Sequence, residues 1–197
     1  STLFPYTTLF RSYLLTLARR PMAASDSDES GRLLHLISDF ERIADHAVNI
    51  LESAEELHAK KIILPPDAQQ ELSTMERAVQ EITTLSITAF QTGDLTAASR
   101  VEPLEQVIDT LKDQLRTRQI ARLQKGACSL ETGFIWTDLL TNFERVADHC
   151  SNIAGCVLET QHRSLDLHEY LDGIKQSAPE FRREYEAYSR KYALISA

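Results

Sequence analysis

The side chains best suited to chemistry occur in two matching sets. Asp39–Ile50 (DFERIADHAVNI) and Asn142–Ile153 (NFERVADHCSNI) agree at eight of twelve positions, at an offset of 103 residues. Chance does not give that agreement, so duplication of a multi-helix unit is the natural source. Packing alone would keep the apolar positions, yet Glu, Arg, Asp, His and Asn are kept as well. Glu41, Asp45 and Asn49 are spaced four apart, and so are Glu144, Asp148 and Asn152. Each set therefore forms one polar stripe on a helix, beside its apolar seam. Two like charges at that spacing cost an isolated helix roughly a few tenths of a kcal/mol. Retaining the pair twice asks for a compensating partner.

A second Glu-x-x-x-Asp supplies a geometric test. Glu105 and Asp109 lie on the preceding helical segment, and the hairpin centre falls near Ala127. Asp109 is 18 residues before that point and Glu144 is 17 after; Glu105 is 22 before and Asp148 is 21 after. In an antiparallel helix pair, residues equidistant from the turn sit at one height. Glu105 is then level with Asp148, and Asp109 with Glu144. With helix axes about 8–10 Å apart, four carboxylates converge on one small volume.

Four such groups do not all stay ionised unaided: some take up protons, or cations sit among them. The set is oxygen-rich and suits magnesium, manganese, iron or zinc rather than soft thiolate chemistry. Glu105, Asp109, Glu144, Asp148, Glu41 and Asp45 are the candidate metal ligands. His46 and His149 each follow an Asp and point about 100° away from it, so they are expected to support or flank the site rather than to ligate. Arg42 and Arg145 each follow a Glu and are candidate carboxylate partners, with Asn49 and Asn152 as further supports. The competing reading is a network of ion pairs on a solvated bundle.

Long helices must hold these residues. Apolar residues recur every three or four positions from about Arg32 to Lys60, and again in segments reaching Thr92, Lys125 and Glu159. Pro65-Pro66, Gly93-Asp94 and Gly126 separate the segments. Pro103 either kinks the third helix or marks its true start. Tyr13–Arg20 reads as a helix end, and Ala24–Gly31 (ASDSDESG) as a polar linker. Tyr170, Phe181, Tyr185, Tyr188 and Tyr192 of the C-terminal stretch are expected to pack back onto the bundle. Such lengths, joined by short loops, give an all-α antiparallel helical bundle with no sheet.

Composition narrows the function classes. The 197 residues carry 21 Lys+Arg against 29 Asp+Glu, a net charge of −8. That balance opposes nonspecific nucleic-acid binding, which needs basic side chains against phosphates. Cys128, Cys150 and Cys156 show no CxxC spacing and read as reduced thiols. No stretch approaches eighteen consecutive apolar residues, so the fragment itself is expected to be soluble. Ser1–Ser12 (STLFPYTTLFRS) lacks capping, charge pattern and signal-peptide layout. Residues 1–12 are accordingly expected to be a non-native, adaptor-derived segment, residues 13–160 the helical domain, and residues 161–197 a C-terminal helical extension.

The doubled Phe-Glu-Arg-Ile/Val-Ala-Asp-His-x-x-Asn-Ile, with Glu105-x-x-Ile-Asp109 one helix earlier, resembles the PhoU domain. That resemblance implies two tandem three-helix units, the first truncated at the N-terminus here, and a regulatory role in phosphate uptake and homeostasis. It also implies divalent or trivalent metal ions at the paired motifs, including multinuclear iron or zinc clusters. Arg100–Asp109, His168–Leu171 and Arg190–Leu194 are similar to the cytoplasmic C-terminal PhoU-like part of bacterial Na⁺/phosphate cotransporter proteins. The implied partner is then the membrane transport domain of the same full-length protein or a phosphate transporter, at the cytoplasmic face of the inner membrane. A homo-oligomer is compatible with the resemblance. The alternatives are a free-standing phosphate-signalling regulator and a helical interaction module that holds no metal.

Carried over residue by residue, Glu105, Asp109, Glu144 and Asp148 complete the second repeat's motif pair. Glu41 and Asp45 supply half of the first. A turn near residue 24 mirrors them onto Thr7 and Leu3, which are not carboxylates. One complete site and one crippled half-site are expected. No nucleophile constellation, Gly-rich phosphate loop or cofactor fingerprint is visible, so the chain is not expected to be an enzyme. A carboxylate-bridged di-metal oxidase would need two inward Glu-x-x-His motifs. Glu55-Glu-Leu-His58 is the most suggestive instance, and the duplicated motif lacks it.

Overall fold

The computed structural model describes residues 5–17, 19, 23–162 and 167–194. Within them the chain forms α1 (Pro5–Leu17), α2 (Ala24–Ala59), α3 (Pro66–Thr92), α4 (Leu95–Ser99), α5 (Val101–Gln124), α6 (Leu130–His162) and α7 (Leu167–Lys191), and no strand. The all-α reading holds.

The punctuation residues act as their chemistry dictates. Pro66 opens α3, where its missing N–H would have had no partner. Gly93 closes α3 in the left-handed region at φ 67°, donating to the Ala89 carbonyl. Asp94 then caps α4, its carboxylate accepting from the Thr96 and Ala97 N–H groups at 2.9 and 3.1 Å. Pro103 falls in the first turn of α5 and so marks a helix start rather than a kink.

Two segments differ from the sequence expectation. Ala24–Gly31 is not a linker; it forms the first two turns of α2. Its Ser and Asp residues favour a helix start, no proline interrupts it, and Ser30 is buried. α1 takes in Pro5–Ser12, the stretch set apart as foreign. Leu14 is 5% exposed, while Leu9, Phe10, Tyr13 and Leu15 stay open to solvent.

α3, α5 and α6 form an antiparallel three-helix bundle. Met75, Ile82, Leu104, Ile108, Leu115, Trp136 and Cys150 fill its core, each almost wholly buried. A buried ionic clip pins one end. Arg122 donates to Glu71 at 2.5 Å and to Asp67 at 2.8 Å, Arg118 donates to Glu71 at 2.9 Å, and the Arg122 guanidinium lies over the Trp136 ring. Breaking such a pair would leave a charge stranded in low dielectric. α7 packs on α5 as expected from its aromatic residues: Tyr188 and Tyr192 are buried, and Tyr192 donates to Glu81 of α3. The side chain of Tyr170 lies outside the described residues.

α2 lies along α6, the most extensive helix pairing in the molecule, and α1 lies against α2. The 103-residue offset carries α6 onto α2 and α5 onto α1. The two copies of the duplicated motif thus face each other across the α2/α6 seam.

Candidate metal centre

α5 and α6 run antiparallel, and their polar contacts fix the register. Lys112 on α5 donates to Glu144 on α6 at 2.8 Å and stands 3.7 Å from Asp109. Two turns away, Ser151 donates to Glu102. The charges of Asp109, Asp148 and Glu144 all act on Glu105. The pairs Asp109/Glu144, Glu105/Asp148 and Glu102/Ser151 mirror about the same point, between Gly126 and Ala127. The hairpin arithmetic therefore places the four carboxylates on one face of the α5/α6 pair, as expected, and adds Glu102 at its edge.

The electrostatics follow from crowding. Burial, and then the charges of Glu102, Asp148, Asp109 and Glu144, push the Glu105 carboxyl up to about 7. Burial and Glu144 also raise Asp148, partly offset by Arg145, His149 and Lys112. Burial works against the charge of Lys112, but its hydrogen bond to Glu144 and the nearby Asp109 hold its pKa above the usual lysine value. Arg145 reaches Asp148 at 3.3 Å and Glu144 at 3.8 Å, the role expected of it. Four carboxylates thus share two cationic side chains. The donor set suits a hard cation held by oxygen, and Glu105 is the member least neutralised. Among the described residues, no three His, Cys, Asp or Glu side chains are already gathered to hold an ion. The Lys112 ammonium stands between Asp109 and Glu144.

The first repeat is different. Glu41 accepts from Thr7 at 2.6 Å and from Arg11 at 2.7 Å. Thr7 is the residue that mirror arithmetic set opposite Glu41, so α1 and α2 have the expected register with a hydroxyl in place of a carboxylate. Asp45 is exposed, and Leu3, its mirror position, lies outside the described residues.

The histidines and asparagines of the motif do something the sequence reading missed. His46 Nδ1 is 2.8 Å and Asn49 Nδ2 is 3.1 Å from Asn142 Oδ1. Reciprocally, His149 Nδ1 is 2.9 Å and Asn152 Nδ2 is 3.2 Å from Asp39 Oδ1. The two imidazoles stack at 5.7 Å. The exchange is a pseudo-two-fold clamp, in which the first residue of each motif accepts from the seventh-next and tenth-next residues of the other copy. These side chains hold the repeats together, and His149 also acts on the charge of Asp148. Their spacing carried the signal: His at i+7 from Asp39 or Asn142 shares its helical face, and Asn at i+10 stands between that face and the Glu-Asp stripe. Arg42 has no ion-pair partner among the described residues and lines a groove on the same seam. Glu55, Glu56 and His58 all face solvent at the end of α2, Glu56 being held by Lys60, so they do not form the inward motif an oxidase needs.

A family model described as PhoU domain matches residues 6–54 and 72–157. The chain belongs to the PhoU family. Two curated relatives are similar to it. The "Phosphate-specific transport system accessory protein PhoU homolog 1" of Thermotoga maritima is 26% identical over 146 residues, covering 74% of this chain and 62% of the relative. The "Phosphate-specific transport system accessory protein PhoU homolog" of Synechocystis sp. is 28% identical over 123 residues, covering 62% and 53%. The chain thus spans less than two thirds of the length of either relative. No solved structure matches. The family match covers both copies of the motif, the α5 carboxylates and Thr7, so the clamp and both carboxylate sites lie on PhoU-type sequence. No helix among the described residues is long and apolar enough to cross a membrane.

Proposed function

We propose that this chain is a regulatory PhoU module of a phosphate transport system and that its α5/α6 carboxylates bind a hard metal ion. Glu105, Asp109, Glu144 and Asp148 would hold the ion, with Arg145 beside them. The observation that carries the reading is the matched height of the two Glu-x-x-x-Asp pairs, with Asp109 and Glu144 flanking one ammonium and Glu105 left short of countercharge. A bound cation supplies positive charge that the chain itself provides only in part. It would tie α5 to α6 and so set the shape of the surface offered to a transporter.

The relatives' names support a role beside a transport system more directly than a role as part of a sodium-coupled cotransporter. The resemblance of Arg100–Asp109 and Arg190–Leu194 to the cotransporter domain is the support for that second context. The interaction-module reading rests on Lys112 and Arg145, which already neutralise part of the cluster. Titration of the metal-stripped chain with Mn²⁺ or Fe²⁺ decides between the readings. One saturable site is expected, weakened about a hundredfold or more in Glu144→Ala and in Asp148→Ala, or about 2.7 kcal/mol. An unchanged metal content in both variants would leave the interaction module as the better reading.

A further inference from the structure

We infer that the α2/α6 seam carries a binding groove for an elongated phosphoanhydride anion, separate from the carboxylate site. The groove has a volume of about 850 Å³ and lies between the N-terminal half of α2 and the C-terminal half of α6. Arg32, His35 and Arg42 line it from α2, and His149 and Asn152 from α6. In a chain of net charge −8, the groove holds two arginines, Arg32 and Arg42, beside two carboxylates, Asp39 and Glu159.

Its cations are not consumed internally. Neither Arg32 nor Arg42 has a carboxylate within ion-pair distance among the described residues. Arg32 Nη1 is shielded from water with no hydrogen-bond acceptor, a donor whose desolvation nothing in the chain offsets. Asp39 already accepts from His149 and Asn152, and Glu159 is exposed.

The duplication supplies an internal control. The pseudo-two-fold carries Arg32 onto Ile135, His35 onto Asp138 and Gly155 onto Glu52. Arg42 maps onto Arg145, which Glu144 and Asp148 engage. The mirror of Arg32 is therefore apolar and the mirror of Arg42 is an arginine already engaged by two carboxylates, so a pair of unengaged arginines is particular to this side of the seam. Arg32 and Arg42 are ten residues apart, about 15 Å along the helix. One phosphate does not span that distance; a chain of phosphoryl groups, with or without a nucleoside, does. Guanidinium forks suit such oxygens by paired N–H donation.

Calorimetric titration of the full chain in EDTA tests this, since the chelator removes any metal bridge. Inorganic tripolyphosphate and ATP are the two probes, with orthophosphate for comparison. Saturable binding of tripolyphosphate or ATP is expected, about tenfold weaker in Arg32→Gln and in Arg42→Gln. The exposed Arg116→Gln control should bind like the parent. Tighter ATP binding would assign the groove to nucleotides, and tighter tripolyphosphate binding to inorganic chains. Absence of saturation with both, affinity undiminished from the parent's in both groove variants, or tighter binding of orthophosphate would overturn the inference. Unchanged melting curves of the variants would separate a lost contact from a lost fold.

Discussion

The two copies of the motif hold the same Glu-x-x-x-Asp pair in opposite electrostatic settings. On α2, Glu41 meets a hydroxyl and an arginine, and Asp45 faces water. On α6, Glu144 and Asp148 meet two more carboxylates, with Lys112 and Arg145 sharing the load. The helix carrying each pair is nearly the same; the facing helix decides whether negative charge accumulates. Duplication therefore keeps a scaffold, here the clamp of Asp39, Asn142, His46 and His149, while the neighbouring helix diverges. Negative charge accumulates only where both partners supply carboxylates.

Lys112 gives the largest lever on that difference. Its ammonium stands where a cation would relieve Asp109 and Glu144, so a metal ion bound as proposed would have to displace it. Lys112→Met removes the competitor without adding a ligand. Mn²⁺ affinity should rise about tenfold, equivalent to about 1.4 kcal/mol, and the metal-free chain should melt lower at neutral pH. A fall in affinity would mean that Lys112 helps assemble the site instead of contesting it.

The fold and the register of the carboxylates were legible because both rest on counting. A turn at Gly126 and a rise of about 1.5 Å per residue fix which side chains share a height, and Lys112 confirms the answer. The mirror of Glu41 onto Thr7 came from the same count. Lys112 itself was not legible, because a lysine three residues from Asp109 looks like any surface i,i+3 partner until α6 is in place. The clamp was missed for a related reason. Asp39 and Asn142 are not among the eight identical positions, so nothing in the alignment marks them as two acceptors in equivalent places. The start of α2 was misread because Ser- and Asp-rich sequence serves linkers and helix starts alike, and only the burial of Ser30 separates them. The clip of Asp67 and Glu71 with Arg118 and Arg122 did leave a trace. Acidic and basic i,i+4 pairs stand at matching distances from Gly93-Asp94.

Glu105 sharpens the comparison through pH. Its carboxyl, raised from the ordinary 4.5 to about 7, holds its proton more tightly in the folded chain than in the unfolded one. Protonation therefore favours the folded state. That contribution is complete below about 4.5 and is lost as pH rises through about 7. Glu105→Gln should leave the melting temperature unchanged near pH 4.5 and raise it by about 2 °C or more at pH 8 in metal-free protein. Saturating Mn²⁺ should reverse the order at pH 8, because the parent gains a ligand that the variant lacks. A pH-independent difference between parent and variant would show that Glu105 is not the group left uncompensated.

The smallest effect is expected in the first copy. Glu41 is already served by Arg11 and Thr7, and Asp45 gains nothing from α1 among the described residues. Glu41→Gln should leave Mn²⁺ affinity within about twofold of the parent. Stability should change by no more than about 1 kcal/mol, since the Arg11–Glu41 pair is partly exposed. Titration and melting curves on one preparation read both quantities. A marked loss of metal in Glu41→Gln would make the two copies functionally equivalent despite their different neighbours. The identity of the facing helix would then not be what distinguishes a binding site from a salt bridge.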